Sequence, residues 1–368
     1  MKLRYKIMNS ILGVVILAIA CLGYVVSQTD DCVSIADATG ERPVMQAVVQ
    51  YCYGSPEDLQ TVSVDKPVPA DDEVLVRVLA ASVNPLDWHY MRGSPYFMRL
   101  GSGLGAPRDP RFGVDFAGTV ESAGRNVTEF MPGDEVFGGR SGAFAEYVLV
   151  PADRAIVKKP ASVSFEQAAA VPIAAVTALQ ALRDSGKLQA GQKVLINGAS
   201  GGVGTFAVQI AKVMGAHVSG VCSSRNVEMV ESIGADHVFD YTKEDYTQSG
   251  EEYDLIVDMV GNHSLLSNRQ VLKDDGTYVM VGGPAGDWVG PLIGPLKMLL
   301  LDPFVEQDFS MILAELNKDD LTTIAEYLRA GQVTSVIDSR FAFSEIPAAI
   351  EHSENGHARG KIIINVAN

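Results

Sequence analysis

Seven residues between a predicted strand and a predicted helix have the composition of a phosphate-binding turn. They are Gly198-Ala199-Ser200-Gly201-Gly202-Val203-Gly204, preceded by the apolar run 194–196 and followed by the helical pattern of 205–212. Glycines let the backbone approach phosphates closely, and free N–H groups at a helix N-terminus attract negative charge. A glycine pattern alone also fits a bare turn, but the strand–turn–helix context favours a dinucleotide site.

The next predicted strand ends at Cys222, and the segment after it indicates which dinucleotide binds. The sequence continues Ser223-Ser224-Arg225, where an NAD-binding protein usually has an acidic residue on the ribose 2′-hydroxyl. A carboxylate would repel a 2′-phosphate, whereas Arg225 and two hydroxyls would bind it through charge-assisted hydrogen bonds. The alternative is that Ser223 caps the next helix and Arg225 is a solvated surface charge. The segment favours NADPH over NADH.

Two blocks with different secondary-structure patterns must position the glycine turn and the residues after Cys222. The first half of the chain predicts short strands separated by turn residues, and hence a small barrel or partly open sheet. These strands are 46–50, 74–83, 116–122, 134–137 and 143–150. Ser164 and Gln167 have the spacing of a helix N-cap, with Ser164 as the capping residue. From Ser164 onward strands alternate with helices, which predicts a parallel sheet covered by helices on both faces. The strands of this second block are 194–197, 217–222, 237–240, 255–260 and 278–283. Residues 284–316 are apolar and interrupted by prolines, and we expect them to line a pocket or an oligomer contact, such as that of a homodimer.

Length and charge limit the class of protein. A chain of 368 residues predicts about two domains. Its formal net charge of −16 argues against a nucleic-acid partner, which requires basic surface.

The N-terminus has the pattern of a membrane segment. Lys2, Arg4 and Lys6 precede the apolar stretch Ile7–Val26, whose length of about 30 Å as a helix matches a hydrocarbon core. We therefore expect a single-pass membrane anchor at 1–29 and a tether at 30–43. A cleaved signal peptide, and hence export, is the alternative, and a lipoprotein site at Cys21 is a third. Basic residues at the extreme N-terminus favour export of the rest, whereas reduced nicotinamide cofactors are chiefly cytoplasmic or organellar, so the membrane face stays open.

Two of the four cysteines lie at the start of the soluble part. Cys32 and Cys52 could pair if this part is exported, but two unpaired thiols are the favoured interpretation.

Several longer motifs give the chain a family resemblance over residues 45–368. They are 83–87 (Val-Asn-Pro-Leu-Asp), 113–118 (Gly-Val-Asp-Phe-Ala-Gly), 172–181 (PIAAVTALQA), the glycine turn, 234–238 (Gly-Ala-Asp-His-Val) and 356–361 (Gly-His-Ala-Arg-Gly-Lys). In this order they resemble the medium-chain dehydrogenase/reductase superfamily, and within it the zinc-less quinone oxidoreductases and the reticulon-interacting mitochondrial oxidoreductases. The resemblance implies an α/β fold in which a doubly wound, Rossmann-type cofactor domain (164–318) is inserted in a GroES-like barrel domain (44–163). The segment 319–368 would complete the barrel.

Departures from the zinc enzymes of this superfamily bear on the chemistry. Those enzymes have a cysteine where this chain has Asn84, and a His-Glu pair where it has Val114-Asp115. The resemblance therefore implies hydride transfer from NADPH, without a metal, to a quinone or an α,β-unsaturated carbonyl. The alternatives are an NADPH-binding sensor or membrane-tethered partner protein without turnover, and a zinc-free alcohol or aldehyde dehydrogenase. The predicted anchor suggests a lipid-soluble acceptor.

The resemblance also implies roles for individual residues. The catalytic pair would be Thr177, beside the nicotinamide, and Asn84, as hydrogen-bond donor to the acceptor. For Asn84 the alternative is a turn residue before Pro85. The other cofactor-binding residues would be Ser200, Gly201, Gly202, Val203 and Gly204 at the pyrophosphate, Ser223, Ser224, Arg225 and Tyr241 at the 2′-phosphate, Gly282 and Gly283 at the nicotinamide, and Lys361 from the C-terminal segment.

Overall fold

The computed structural model describes residues 21–33, 42–283, 286–288, 290–301 and 305–366. Its strands form a two-stranded, a six-stranded and a seven-stranded sheet. The first seven strands are β1 (Val44–Val49), β2 (Gln60–Asp65), β3 (Glu73–Val83), β4 (Asp115–Ala123), β5 (Glu135–Gly139), β6 (Tyr147–Pro151) and β7 (Ile156–Lys158). The others are β8 (Lys193–Asn197), β9 (His217–Cys222), β10 (His237–Asp240), β11 (Tyr253–Asp258), β12 (Leu272–Met280), β13 (Asp308–Met311), β14 (Ile337–Ala342) and β15 (Lys361–Asn365).

Short helices connect and cover these strands. The first is α1, at 21–27. The next five are α2 (Pro85–Arg92), α3 (Arg99–Ser102), α4 (Phe165–Ala169), α5 (Pro172–Gln180) and α6 (Gly202–Val213). The last five are α7 (Val227–Ser232), α8 (Leu265–Arg269), α9 (Gly290–Leu301), α10 (Lys318–Arg329) and α11 (Ile346–Glu354). The predicted cap at the start of α4 is present, because the Ser164 hydroxyl accepts from the Gln167 N–H at 3.2 Å.

The six-stranded sheet is parallel and confirms the predicted alternation. Its order is β10-β9-β8-β11-β12-β13. β8 and β11 are central, and their apolar residues are fully buried, as strands covered on both faces require. All carboxyl ends of these strands lie at one edge, where ligands of open α/β sheets bind.

The seven-stranded sheet brings the C-terminus back to the N-terminal half. Its order is β14-β15-β3-β4-β5-β7, with β6 also paired to β3. β15 runs antiparallel to β3, with Ile362 opposite Val83. Lys361 therefore lies beside the end of β3, where Asn84 begins α2.

The N-terminal segment differs from its prediction. Most of the predicted anchor, residues 1–20, lies outside the described residues, and no helix among those described has the length and apolarity to cross a bilayer. The end of the predicted span packs on the folded body instead. Val26 is buried, and Arg99 donates hydrogen bonds to the carbonyls of Val26 and Gln28 at 3.1 and 2.9 Å. Among the described residues the predicted anchor is therefore not supported, and for residues 1–20 it stays a prediction.

The predicted tether is also attached where it is described. The Asp30 N–H donates to the Gly105 carbonyl at 3.0 Å. Cys32 and Cys52 form a disulfide with Cα atoms 4.9 Å apart, so the interpretation as unpaired thiols is wrong. Periodicity in the sequence could not show this pairing, because it depends on where the chain brings the two residues together.

Candidate functional site

The glycine turn lies between β8 and α6, as the sequence predicts. Gly198 has φ +90°, Gly201 is the N-cap in an extended conformation, and the helix starts at Gly202. The first N–H groups of a helix have no intrahelical partner, so those of 202–204 are available to an anion. A Cβ at 204 would overlap the Gly198 carbonyl oxygen, which explains the need for glycine there.

Asn226 is a residue of this region that the sequence did not single out. Its side chain is 4% exposed, and its amide nitrogen donates to the hydroxyls of Ser200 and Ser223 at 3.0 and 3.3 Å. Its buried Oδ1 has no hydrogen-bond partner among the described residues. A buried orphan acceptor is costly unless a ligand pairs with it. Next to a glycine turn, this oxygen fits a hydroxyl group of a bound dinucleotide.

The residues predicted to surround a 2′-phosphate lie at the ends of β9 and β10. Their side chains differ in how many hydrogen-bonding groups remain available to a phosphate. The Ser224 hydroxyl donates to Asp240 at 2.5 Å, and Lys243 pairs with the same carboxylate at 2.7 Å. Lys243, with the hydroxyls of Ser224 and Thr242, holds the pKa of Asp240 well below its usual range. Arg225 donates a hydrogen bond to the His357 carbonyl at 2.8 Å. Most of its five N–H donors have no partner among the described residues. Tyr241 is exposed.

The residues predicted to lie beside the nicotinamide are Gly282 and Gly283, which follow the carboxyl end of β12, and Thr177, which lies within α5. A Cβ at Gly282 would overlap the Met259 carbonyl oxygen, while Gly283 has more space. Thr177 is 8% exposed, and its hydroxyl donates to the Ile173 carbonyl at 2.7 Å. This bond fixes the hydroxyl hydrogen and leaves the oxygen lone pairs as acceptors.

Asn84 lies in a buried polar cluster at the junction of the two large sheets. Its Nδ2 donates to Asp115 Oδ2 at 2.9 Å, and its Oδ1 accepts from Lys361 Nζ. Ser82 also donates to Asp115, at 3.0 Å. Asp87 closes the capping box of α2 by accepting from the Asn84 N–H at 2.7 Å.

Burial dominates the electrostatics of this cluster. It raises the pKa of Asp87 to about 7, and the neighbouring Asp115 carboxylate adds to the shift. Burial also raises the pKa of Asp115 and lowers that of Lys361, while the attraction between the two opposes both shifts. The Lys361 ammonium thus lies near two carboxyl groups, those of Asp115 and Asp87. The carboxyl group of Asp87 changes charge near neutral pH.

A cavity of 370 Å³ adjoins α2 and the segment after Gly283. Aromatic Trp88 and Tyr96 line it together with His89, Arg99 and Asp287. Tyr96 also packs edge-on against Trp288, with ring centroids 4.8 Å apart. Neither this cavity nor a more open cleft of 670 Å³ at the end of α5 is lined by any of the predicted site residues.

A parallel sheet with a glycine turn at its carboxyl edge, joined to a barrel-like sheet, defines a class of dinucleotide-dependent oxidoreductases. Comparison with known proteins supports the same class. Residues 70–161 match the family model described as alcohol dehydrogenase GroES-like domain, and residues 233–364 match the one described as zinc-binding dehydrogenase. The chain is 35% identical to the mouse (Mus musculus) protein named "NAD(P)H oxidoreductase RTN4IP1, mitochondrial", over 90% of this chain and 92% of that one.

Further relatives carry similar names. The human (Homo sapiens) protein named "Quinone oxidoreductase" is 32% identical over 89% of this chain and 99% of that one. The structure of the quinone oxidoreductase from Coxiella burnetii superposes with a TM-score of 0.77 at 29% identity, covering 88% of this chain and all of the other. The chain belongs to the medium-chain dehydrogenase/reductase superfamily. It is an oxidoreductase of the kind that uses a nicotinamide dinucleotide, NAD(H) or NADP(H).

Proposed function

We propose that this protein is a zinc-independent, NADPH-dependent oxidoreductase that transfers a hydride to a quinone or an α,β-unsaturated carbonyl. The observation that carries the proposal is the buried Asn84 amide, which stands where the zinc enzymes have a metal-binding cysteine. Its oxygen accepts a hydrogen bond from Lys361, whose side chain approaches the glycine turn at Gly202. Among the described residues no group of three His, Cys, Asp or Glu side chains has the arrangement of a metal site.

The cofactor supplies the hydride, and the protein must bind it, orient the acceptor and stabilise the charge that develops on the acceptor oxygen. We assign the pyrophosphate to Ser200 and the N–H groups of 202–204, and the nicotinamide to Thr177 and the turn at 282–283. A conjugated carbonyl takes up negative charge as the hydride arrives, so a neutral N–H donor such as that of Asn84 can replace a Lewis acid. The reduced product also takes up one proton.

The 370 Å³ cavity is the proposed acceptor site. It adjoins the helix that Asn84 caps and the segment that follows Gly283, and its walls include Trp88 and Tyr96. Aromatic side chains offer flat apolar surface on which a quinone ring can stack. Relatives named as quinone oxidoreductases support the same acceptor class.

The test is oxidation of NADPH in the presence of a panel of short-chain quinones and enones, followed by NADPH absorbance. We expect turnover with at least one acceptor class, and a loss of kcat/KM of about 100-fold in Asn84→Ala, as for removal of one oxyanion donor. Asn126→Ala, at an exposed asparagine bound to Asp72, is the matched control and should retain full activity. NADPH binding without oxidation across the panel would overturn the proposal in favour of a cofactor-binding protein without turnover.

The preference for NADPH gives a separate prediction at Arg225. Arg225→Ala should raise the Kd for NADPH about 10- to 100-fold, because hydrogen bonds to a charged group contribute about 1.5–3 kcal/mol. The Kd for NADH should stay unchanged, since NADH has no 2′-phosphate. Fluorescence titration of both cofactors measures this, with Arg125→Ala, an exposed arginine paired to Asp71, as control. Equal losses for both cofactors would show that Arg225 does not contact the 2′-phosphate.

A further inference from the structure

We propose that Lys361 and Asp115 are positioning residues that fix the orientation of the Asn84 amide, so that its second N–H is presented to the acceptor oxygen. The inference rests on the proposed function, since it assigns a task to Asn84 in that reaction. It also gives Lys361 a role different from the cofactor contact that the family resemblance implies.

The three side chains form a buried unit. Asp115 is 0% exposed, and Asn84 and Lys361 are each 2% exposed. Water therefore cannot compete for their hydrogen bonds, and each contact is stronger than it would be on the surface. Lys361 and Asn84 are 277 residues apart in the chain, so only the pairing of β15 with β3 brings them together.

Chemistry leaves one orientation for the Asn84 amide. An ammonium only donates hydrogen bonds, so the Asn84 oxygen must face Lys361. A carboxylate only accepts, so the Asn84 nitrogen must face Asp115. A flipped amide would place its N–H groups against the ammonium and its oxygen against the carboxylate, which is unfavourable at both ends. The second N–H of Asn84 has no partner among the described residues. Because the two hydrogen bonds fix the amide plane, this N–H points in one direction.

The Lys361 ammonium is fully used inside this unit. It donates to Asn84 Oδ1, to the Val83 carbonyl at 3.2 Å and to Asp115 Oδ2 at 3.5 Å. These three acceptors match its three N–H donors. Only the aliphatic part of the side chain approaches the glycine turn, where a Cβ at Gly202 would lie 3.1 Å from Lys361 Cδ. A phosphate contact would cost the ammonium one of its present bonds.

Asp115 connects this unit to the nicotinamide side. Its Oδ1 accepts from the Ile173 N–H at 3.1 Å, in the first turn of α5. The Ile173 carbonyl in turn accepts from the Thr177 hydroxyl at 2.7 Å. Asp115 Oδ2 therefore orients Asn84, while Oδ1 holds the start of α5. The amide oxygen of an asparagine at 115 can keep the α5 contact, so Asp115→Asn acts on Asn84.

The test is the paired variant Lys361→Met with Asp115→Asn, which removes one buried charge of each sign. We expect the kcat/KM for a quinone to fall about 10- to 100-fold, as for other supporting residues of an active site, while the Kd for NADPH stays within about 2-fold. In an Asn84→Ala background the same pair should cause little further loss, because the pair acts through Asn84. Thermal unfolding of each variant verifies that it is folded.

Each result decides the matter. An increase of about 10-fold or more in the Kd for NADPH would make Lys361 a cofactor ligand and overturn the inference. Losses that add to those of Asn84→Ala would do the same, while leaving the proposed function intact. Absence of turnover in the unmodified protein would overturn both proposals. If the paired variant does not fold, Lys361→Gln with Asp115→Asn makes the same test, because each amide can donate or accept and neither dictates the Asn84 orientation.

Discussion

Gly204→Ala should abolish NADPH binding and lower the free energy of unfolding by about 3 kcal/mol, which is the upper end of the usual cost of an inserted methyl group. The added Cβ would overlap the Gly198 carbonyl oxygen and lie 2.9 Å from two backbone atoms of Ala199. Neither obstacle is a side chain that could rotate away. Relief requires the turn to move, and the N–H groups at 202–204 would then lose their common direction. Denaturant unfolding and NADPH titration measure the two effects.

Gly201→Ala is the matched control in the same turn. Gly201 has φ −82°, and a Cβ there would meet only the Gly198 oxygen, at 3.5 Å. This variant should unfold within about 0.5 kcal/mol of the unmodified protein, as for substitutions that create no clash. Equal destabilisation of both variants would contradict the explanation by overlap at residue 204.

The glycine turn and the strands around it could be predicted because their signals are local. The turn at 198–204 and the Ser164–Gln167 cap depend on residues a few positions apart, and the structure has both. The carboxyl ends of parallel strands meet at one edge, so the approximate place of the cofactor followed from the same pattern.

The partners of the site residues could not be predicted, because they come from distant parts of the chain. The hydroxyl of Ser224 was expected to bind phosphate, but Asp240, sixteen residues away on β10, accepts its hydrogen bond. Asn226 directly follows Arg225 in the chain, yet only its burial and its unpaired oxygen single it out as a candidate for cofactor binding. The link from Asn84 to Lys361 needed the register of β15 on β3.

Hydropathy alone left the structure of two apolar segments open. The predicted anchor includes Val26, which is buried and whose carbonyl accepts from Arg99, because a count of apolar side chains does not reveal whether lipid or protein covers them. Within 284–316 hydropathy missed the helix α9, in which Pro295 lies inside the helix. An interior proline usually ends a helix, so the local signal favoured an irregular segment.

The Cys32–Cys52 disulfide gives the second large expected effect. It closes a loop with a sequence separation of 20 residues, and a cross-link of that length stabilises a protein by about 3 kcal/mol through the unfolded state. The variant Cys32→Ser with Cys52→Ser should lose about this amount in denaturant unfolding, and a dithiol reductant should have the same effect on the unmodified protein. Cys21→Ser, at an exposed free cysteine, is the control and should unfold normally.

The same variant should loosen the N-terminal segment from the barrel. Without the disulfide, residues 26–30 keep the burial of Val26 and the hydrogen bonds to Arg99 and Gly105, a small set of contacts whose local opening requires less free energy. Faster amide hydrogen exchange at 26–30, with protection unchanged in β3 and β15, would show that the disulfide acts locally. Unchanged stability in the double variant and under reductant would mean that Cys32 and Cys52 are not joined in the isolated protein. Because disulfides persist mainly in oxidising compartments, the thiol state in cells would also indicate which side of a membrane the folded body occupies.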